Sequence, residues 1–338
     1  MATLARLAAR TAARFPDANL LMFLPEYPEL TRQMRSVLER MARLRHQPMH
    51  ALAPQAARAN YESAADVLEV PRRTLARVED LVVPVRDGAT LPARLFQADA
   101  NARGVLLFFH GGGFTVGSIG THDILCREFA ALAGCTVVSL GYRLAPEHKF
   151  PAAVDDCWDA LHWLVGARAQ LGLGQAPMAV GGDSAGGTLA AVSAIQARDA
   201  GLPLALQLMF YPGTTSRDES ASKRRYGHGL VLEPALIEYF FGHYIAPALR
   251  EDWRFAPANA DDVEGVAPAW IGLAECDPMF DDGIAYADKL RAAGVAVALE
   301  VWRGVTHEFI KMGRTIPEAR EAHAAAAQAL AEAFRTTP

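Results

Sequence analysis

From residue 104 onward, short continuous apolar runs alternate with amphipathic stretches of helical length. No other feature of the chain restricts its fold as much. The runs are GVLLFFH (104–110), CTVVSLGY (135–142), ALQLMFYP (205–212), APAWIGLAECD (267–277) and VAVALEVW (295–302), and MAVGGDS (178–184) is a shorter one. An unbroken apolar run, rather than a strict in–out alternation, is the pattern of a strand buried on both faces. Between the runs lie helical stretches over 121–133, 155–168, 188–201 and 281–294, and an Ala-rich one closes the chain at 317–335. Strands separated by helices predict an α/β fold with a largely parallel sheet covered on both sides. Such sheets bind ligands beyond the carboxyl ends of their strands, so reactive residues are expected just after strands.

Upstream of this region, ARVEDLVVPVRDG and ATLPARLFQA read as a hairpin turning at Asp87-Gly88. Residues 1–75 carry no strand pattern and form a helical cap region in this reading. Pro16, Pro25 and Pro28 break its first part, the basic stretch MATLARLAARTAARF is expected to be an amphipathic helix, and Leu30, Met34, Val37, Leu38, Met41 and Leu44 recur at helical spacing. A second amphipathic stretch is PQAARANYESAADVL. Residues 76–338 are expected to form the α/β region, which also holds the motifs described below, interrupted at about 213–262 by a polar, turn-rich and then aromatic insert that is expected to add a second cap element.

Composition excludes several classes of function. The 338 residues carry 33 basic and 38 acidic side chains, and the balance of −5 shows no basic domain of the kind that binds nucleic acid. No stretch reaches the ~18 apolar residues of a membrane span, and no secretory signal stands at the start, so neither stable membrane association nor export is expected. Cys126, Cys135, Cys157 and Cys276 have neither metal-ligand spacing nor the density of a disulfide scaffold. They are expected to be buried free thiols of a cytoplasmic protein.

Four elements carry chemistry. Gly182-Asp183-Ser184-Ala185-Gly186 is a G-x-S-x-G motif between a strand and a helix. A serine hydroxyl is a weak nucleophile unless it is exposed and aligned with a base, and a sharp strand-to-helix turn supplies the exposure. With nine serines and 27 glycines, chance gives ~0.06 such matches, so the context carries the assignment more than the pattern does. His110-Gly111-Gly112-Gly113-Phe114 follows the strand GVLLFF; the amides of Gly112 and Gly113, with that of Ala185, are the expected oxyanion donors. His110 precedes the serine and is expected to bond the backbone of its own loop. The acid and base follow the serine in the order acid, then His. Asp277 ends a strand and is followed by Pro278, ahead of Glu275, Asp281 and Asp282 as alternatives. His307 and His323 are the histidines that follow Asp277. His307 lies in a loop after the last strand, whereas His323 lies in the tail helix and is expected at the solvated surface.

At these residues the chain resembles the hormone-sensitive-lipase-like esterases, the bacterial family IV carboxylesterases. The likeness covers roughly residues 75–335, in HGGGF (110–114), YRLAPEHKFPAAVDD (142–156), GDSAGG (182–187), ECDPMFDDG (275–283) and the HEF around His307. The GDSAGG form is similar to one of two subgroups. The resemblance implies an α/β-hydrolase fold with a mostly parallel eight-stranded sheet, a helical N-terminal cap, and hydrolysis of short-to-medium acyl esters with no metal or organic cofactor. It also implies Ser184, Asp277 and His307 as the triad, and a homodimer through the last strand. Asp183, Phe114 and Tyr211 are the expected substrate-binding residues, and Phe240 and Phe241 further candidates for the pocket wall. Glu308 stands where many relatives carry Gly, and is expected to face solvent. Amide or carbamate hydrolysis, acyl transfer and deacetylation of a small metabolite share the same triad and acyl-enzyme and are not separated from ester hydrolysis by these residues, whereas a receptor on an inactive hydrolase fold and an interfacial lipase fit them less well.

Overall fold

A computed structural model of the chain describes residues 27–44, 47–217 and 219–336. The expected N-terminal helix lies outside them. Eight strands form one sheet: β1 (Arg77–Pro84), β2 (Thr90–Gln97), β3 (Val105–Phe109), β4 (Thr136–Leu140), β5 (Met178–Asp183), β6 (Leu206–Phe210), β7 (Ala269–Cys276) and β8 (Val297–Thr306). Their order across the sheet is β1-β2-β4-β3-β5-β6-β7-β8. The β1–β2 hairpin is antiparallel and joins β4 antiparallel; every other pair is parallel.

Burial explains the unbroken apolar runs. In β3, Val105, Leu107 and Phe109 enter the core on one face of the sheet, and Leu106 and Phe108 that on the other. Helices α4 (Ala152–Ala167), α5 (Ala185–Asp199) and α8 (Phe280–Ala292) pack against the first face, through side chains such as Leu161, Leu189 and Tyr286. Helices α3 (Asp123–Ala133) and α9 (Pro317–Thr336) cover the second, through Phe129 and Leu330. All four cysteines are buried and free.

Among the described residues two α-helices precede the sheet, α1 (Arg32–Arg43) and α2 (Pro54–Ala64). The predicted apolar face of α1 divides in two. Leu30, Met34, Val37 and Leu38 join the second core, whereas Met41 and Leu44 remain 41% and 61% exposed, on the rim of the pocket described below. The insert contributes α6 (Ala221–Tyr226) and α7 (Pro234–Tyr244).

Two expectations need correction. The last strand does not end near Trp302 but runs to Thr306, with a register shift between Ala274 and Cys276 of β7. Gly304 is held in place from both sides: its amide donates to Glu275 Oε2 at 2.8 Å, and its carbonyl accepts from the Thr31 amide. His307 therefore follows a strand directly rather than hanging in a long loop. His323 is not at the surface either. It is 1% exposed, and its Nε2 donates to the Ile310 carbonyl at 2.7 Å, because it shares the inner face of α9 with Ala319, Ala322 and Ala326.

Candidate active site

Ser184 is the single residue between β5 and α5, with φ 53° and ψ −122°. A side chain in that region is strained, and such strain persists only where the surroundings impose it. Here the Ser184 amide donates to the Phe210 carbonyl of β6 at 2.9 Å. The turn is also too tight for side chains around it: a Cβ on Gly186 would collide with the Phe109 carbonyl, and one on Gly182 with the Gly186 backbone. The motif's glycines are thus required by close approach of backbone to backbone.

The structure brings the expected base and acid to this serine. His307 Nε2 lies 2.9 Å from Ser184 Oγ, and His307 Nδ1 lies 2.6 Å from Asp277 Oδ2. Asp277 is fully buried, and its other oxygen accepts from the Met279 amide at 2.8 Å, across the turn that Pro278 makes. Burial pulls the His307 pKa down, but the charge and hydrogen bond of Asp277 outweigh it and hold the imidazole above its usual 6.5. The alternative acids are engaged elsewhere. Glu275 accepts from Gly304, Asp281 from the Ser222 amide, and Asp282 lies 3.6 Å from Lys223 Nζ.

The glycine loop curls over the carboxyl end of β3. Gly112 has φ 117°, and its carbonyl accepts from the amides of Thr115 and Val116. The amides of Gly112 and Gly113 have no protein acceptor among the described residues. That of Ala185 is in the first turn of α5, where helical amides lack an intrahelical partner. His110 does bond its own loop: Nδ1 donates to the Gly111 carbonyl at 2.8 Å, the ring stacks on Tyr142 at 4.3 Å, and burial drives its pKa down to about 3.

Two of the three expected substrate-binding residues lie beneath the site rather than in it. Asp183 is fully buried; it accepts from the Gly111 amide at 3.0 Å and faces His122 Nε2 at 3.2 Å. Burial raises its pKa, yet the neighbouring His122 brings the net shift below the usual value. It holds the glycine loop from below. Tyr211 is also fully buried, its ring 4.4 Å from the imidazole of His307. It follows β6 immediately, and its amide donates to the Gly272 carbonyl of β7 at 2.8 Å, which keeps it in the sheet layer.

Above the serine lies a cavity of about 1030 Å³. Ser184, His307 and the oxyanion candidates open onto it, as does Phe114, whose ring stacks on Tyr244 at 4.0 Å. Its walls are mostly apolar, with Met41 from α1 and Phe240 and Phe241 from α7 among them. Glu308 does not point to solvent. It is half-buried on the pocket wall, where it accepts a hydrogen bond of 2.7 Å from the Tyr61 hydroxyl. Tyr61 and Lys311, which donates to that hydroxyl, went unrecognised in the sequence. They meet across 250 positions, and no local pattern encodes such a contact.

Comparison with known proteins gives the family of the chain. The family model described as alpha/beta hydrolase fold matches residues 106–311. The chain is 44% identical over 282 residues to an ethyl acetate hydrolase of Pseudomonas putida, covering 81% of this chain and 88% of that one. It is 38% identical over 280 residues to carboxylesterase NlhH of Mycobacterium tuberculosis, covering 77% and 88%. Among solved structures, an alpha/beta hydrolase enzyme from the metagenome of Lake Arreo superposes with a TM-score of 0.87 at 33% identity, covering 91% of this chain and 99% of that one. A Pyrobaculum calidifontis esterase gives 0.85 at 34% identity, covering 90% and 98%. The chain belongs to the alpha/beta-hydrolase fold family, among its hormone-sensitive-lipase-like carboxylesterases.

Proposed function

We propose that this carboxylesterase hydrolyses short-to-medium acyl esters of small molecules through an acyl-enzyme on Ser184, with His307 as base and Asp277 as its partner. The observation that carries the proposal is the unbroken hydrogen-bonded line from Asp277 through His307 to Ser184 Oγ, at 2.6 and 2.9 Å, at the floor of an apolar cavity.

Ser184 Oγ attacks the ester carbonyl carbon while His307 Nε2 takes its proton. Asp277 holds the imidazole by Nδ1–H and stabilises its charged form. The carbonyl oxygen gains the negative charge and turns toward the amides of Gly112, Gly113 and Ala185, where each preorganised donor is worth about 3–4 kcal/mol. His307 then returns the proton to the leaving alkoxide, and the alcohol departs. A water gives its proton to the same nitrogen, attacks the acyl-enzyme, and releases the carboxylic acid with Ser184 restored. Phe114 lies on the cavity wall beside the donors and would contact the substrate.

Hydrolysis of p-nitrophenyl esters from two to sixteen carbons, by wild type and by Ser184→Ala, tests the proposal. Turnover of the shorter chains that vanishes in a folded Ser184→Ala protein supports it. A wild type that turns over no ester, or a Ser184→Ala variant as active as wild type, would refute it.

A further inference from the structure

Helix α2 touches both halves of the site. Arg58 donates to the carbonyls of Thr115 at 2.8 Å and Ala145 at 2.7 Å and pairs with Glu147, while the Glu62 carboxylate accepts from the Ser118 hydroxyl at 2.9 Å. Those contacts grip the segment that follows the glycine loop and the one that follows β4. Tyr61, on the same helix, reaches the opposite side. Its hydroxyl donates to Glu308 Oε1 at 2.7 Å and accepts from Lys311 Nζ at 3.1 Å, and the ammonium lies 4.5 Å from the centre of the Tyr61 ring. Lys311 is only 7% exposed, so this hydroxyl and ring are a substantial part of what its charge meets. Glu308 follows the catalytic-base candidate directly and has φ 63°, ψ 7°. A glycine would make that turn without strain, so the turn itself does not call for a carboxylate.

We infer that Tyr61 is a positioning residue: its hydroxyl, held between Lys311 and Glu308, keeps the Glu308 carboxylate drawn toward the cap and fixes the turn that aims His307 Nε2 at Ser184. The inference rests on His307 being the base. The groups facing that imidazole are Asp277 from the turn after β7, Asp183 from the end of β5, Glu308 from its own turn and the Tyr211 ring from the end of β6, with Lys311 behind Tyr61. Of the carboxylates, Glu308 is the one tied to the cap. Freed from Tyr61, it can turn toward the imidazolium, and a nearby negative charge favours the protonated ring.

The test measures kcat and KM for p-nitrophenyl butyrate from pH 5 to 9 in wild type, Tyr61→Phe, Glu308→Gln and the double variant, with thermal melts to check folding. Tyr61→Phe keeps the ring and its packing. It is expected to lower kcat about tenfold, with KM within about twofold of wild type. Its acid limb is expected to move up by about 0.5 pH unit. Glu308→Gln moves the limb down, and the double variant follows Glu308→Gln because no carboxylate remains to be released. A Tyr61→Phe enzyme with wild-type kcat and limb overturns the inference, and so does a lower kcat with an unmoved limb, which would mark Tyr61 as merely structural. Either result in an active wild type sinks this inference alone. A wild type inactive on every ester sinks the esterase reading and this inference together.

Discussion

Ser184 and its neighbours illustrate how little freedom a residue has at such a turn. A methyl group on Gly186 would run into the Phe109 carbonyl and crowd that of His110, and Phe109 belongs to the central strand β3. Gly186→Ala should therefore behave as overpacking, costing about 1–3 kcal/mol, read as a lower urea midpoint with little change in slope. At the same scale, His307 carries a pH signature. Its imidazole is held above 6.5, and it must be neutral to take the serine proton. The acid limb of kcat/KM should thus have its midpoint above 6.5, and a midpoint well below 6.5 would remove Asp277's influence from the account. The sign for stability is the reverse of that for activity: the raised pKa contributes stability that is fully present below 6.5 and is lost as pH rises through the folded value. Ser184, Asp277 and His307 were all legible as residues because each follows a strand in a fixed chain order. Asp183 and Tyr211 were misplaced because sequence proximity to the serine or to a strand end does not say which side of the sheet layer a side chain enters.

Elements, not single residues, set the shape of the pocket. The strands of the central sheet were readable because a run such as VLLFF has to bury both faces, and the structure distributes its residues between two cores. The extension of β8 to Thr306 was not readable, since it depends on a register shift against β7 and on Glu275 bonding the Gly304 amide. Periodicity likewise identified α1 but not the division of its apolar face between core and pocket. That division makes a prediction. Replacing Met41 by Ala removes apolar surface from the pocket rim without opening the core, because Met41 is 41% exposed whereas Met34 is fully buried. Met41→Ala should change the unfolding free energy by less than about 0.5 kcal/mol, while Met34→Ala should cost about 2–5 kcal/mol. Equilibrium denaturation of both variants distinguishes them, and equal losses would contradict this division of the helix.

At the scale of the whole molecule, folding buries charged side chains as well as apolar ones. Glu69, between α2 and the sheet, is 1% exposed, and neither carboxylate oxygen has a protein partner among the described residues. Burial pushes its pKa up to about 8. Between the usual carboxyl range and pH 8 the folded chain holds a proton that the unfolded chain has released, so stability falls as pH rises across that window. Glu69→Gln removes this dependence; its melting temperature relative to wild type should increase from pH 5 to pH 8. A difference that stays constant with pH would show that the Glu69 carboxyl ionises as freely as an exposed one. Such a group is invisible in sequence, because Glu69 has the composition of a surface residue and only the closure of the fold over it makes it costly.

The central claim is that Ser184 is the nucleophile, and the most direct measurement is intact-protein and peptide mass spectrometry after treatment with a p-nitrophenyl phosphonate, which traps an activated serine as a stable ester. One adduct per chain on the peptide containing Ser184, formed in step with loss of esterase activity and absent from Ser184→Ala, is the result expected. An adduct on another residue, or full esterase activity retained once Ser184 is modified, would contradict the account.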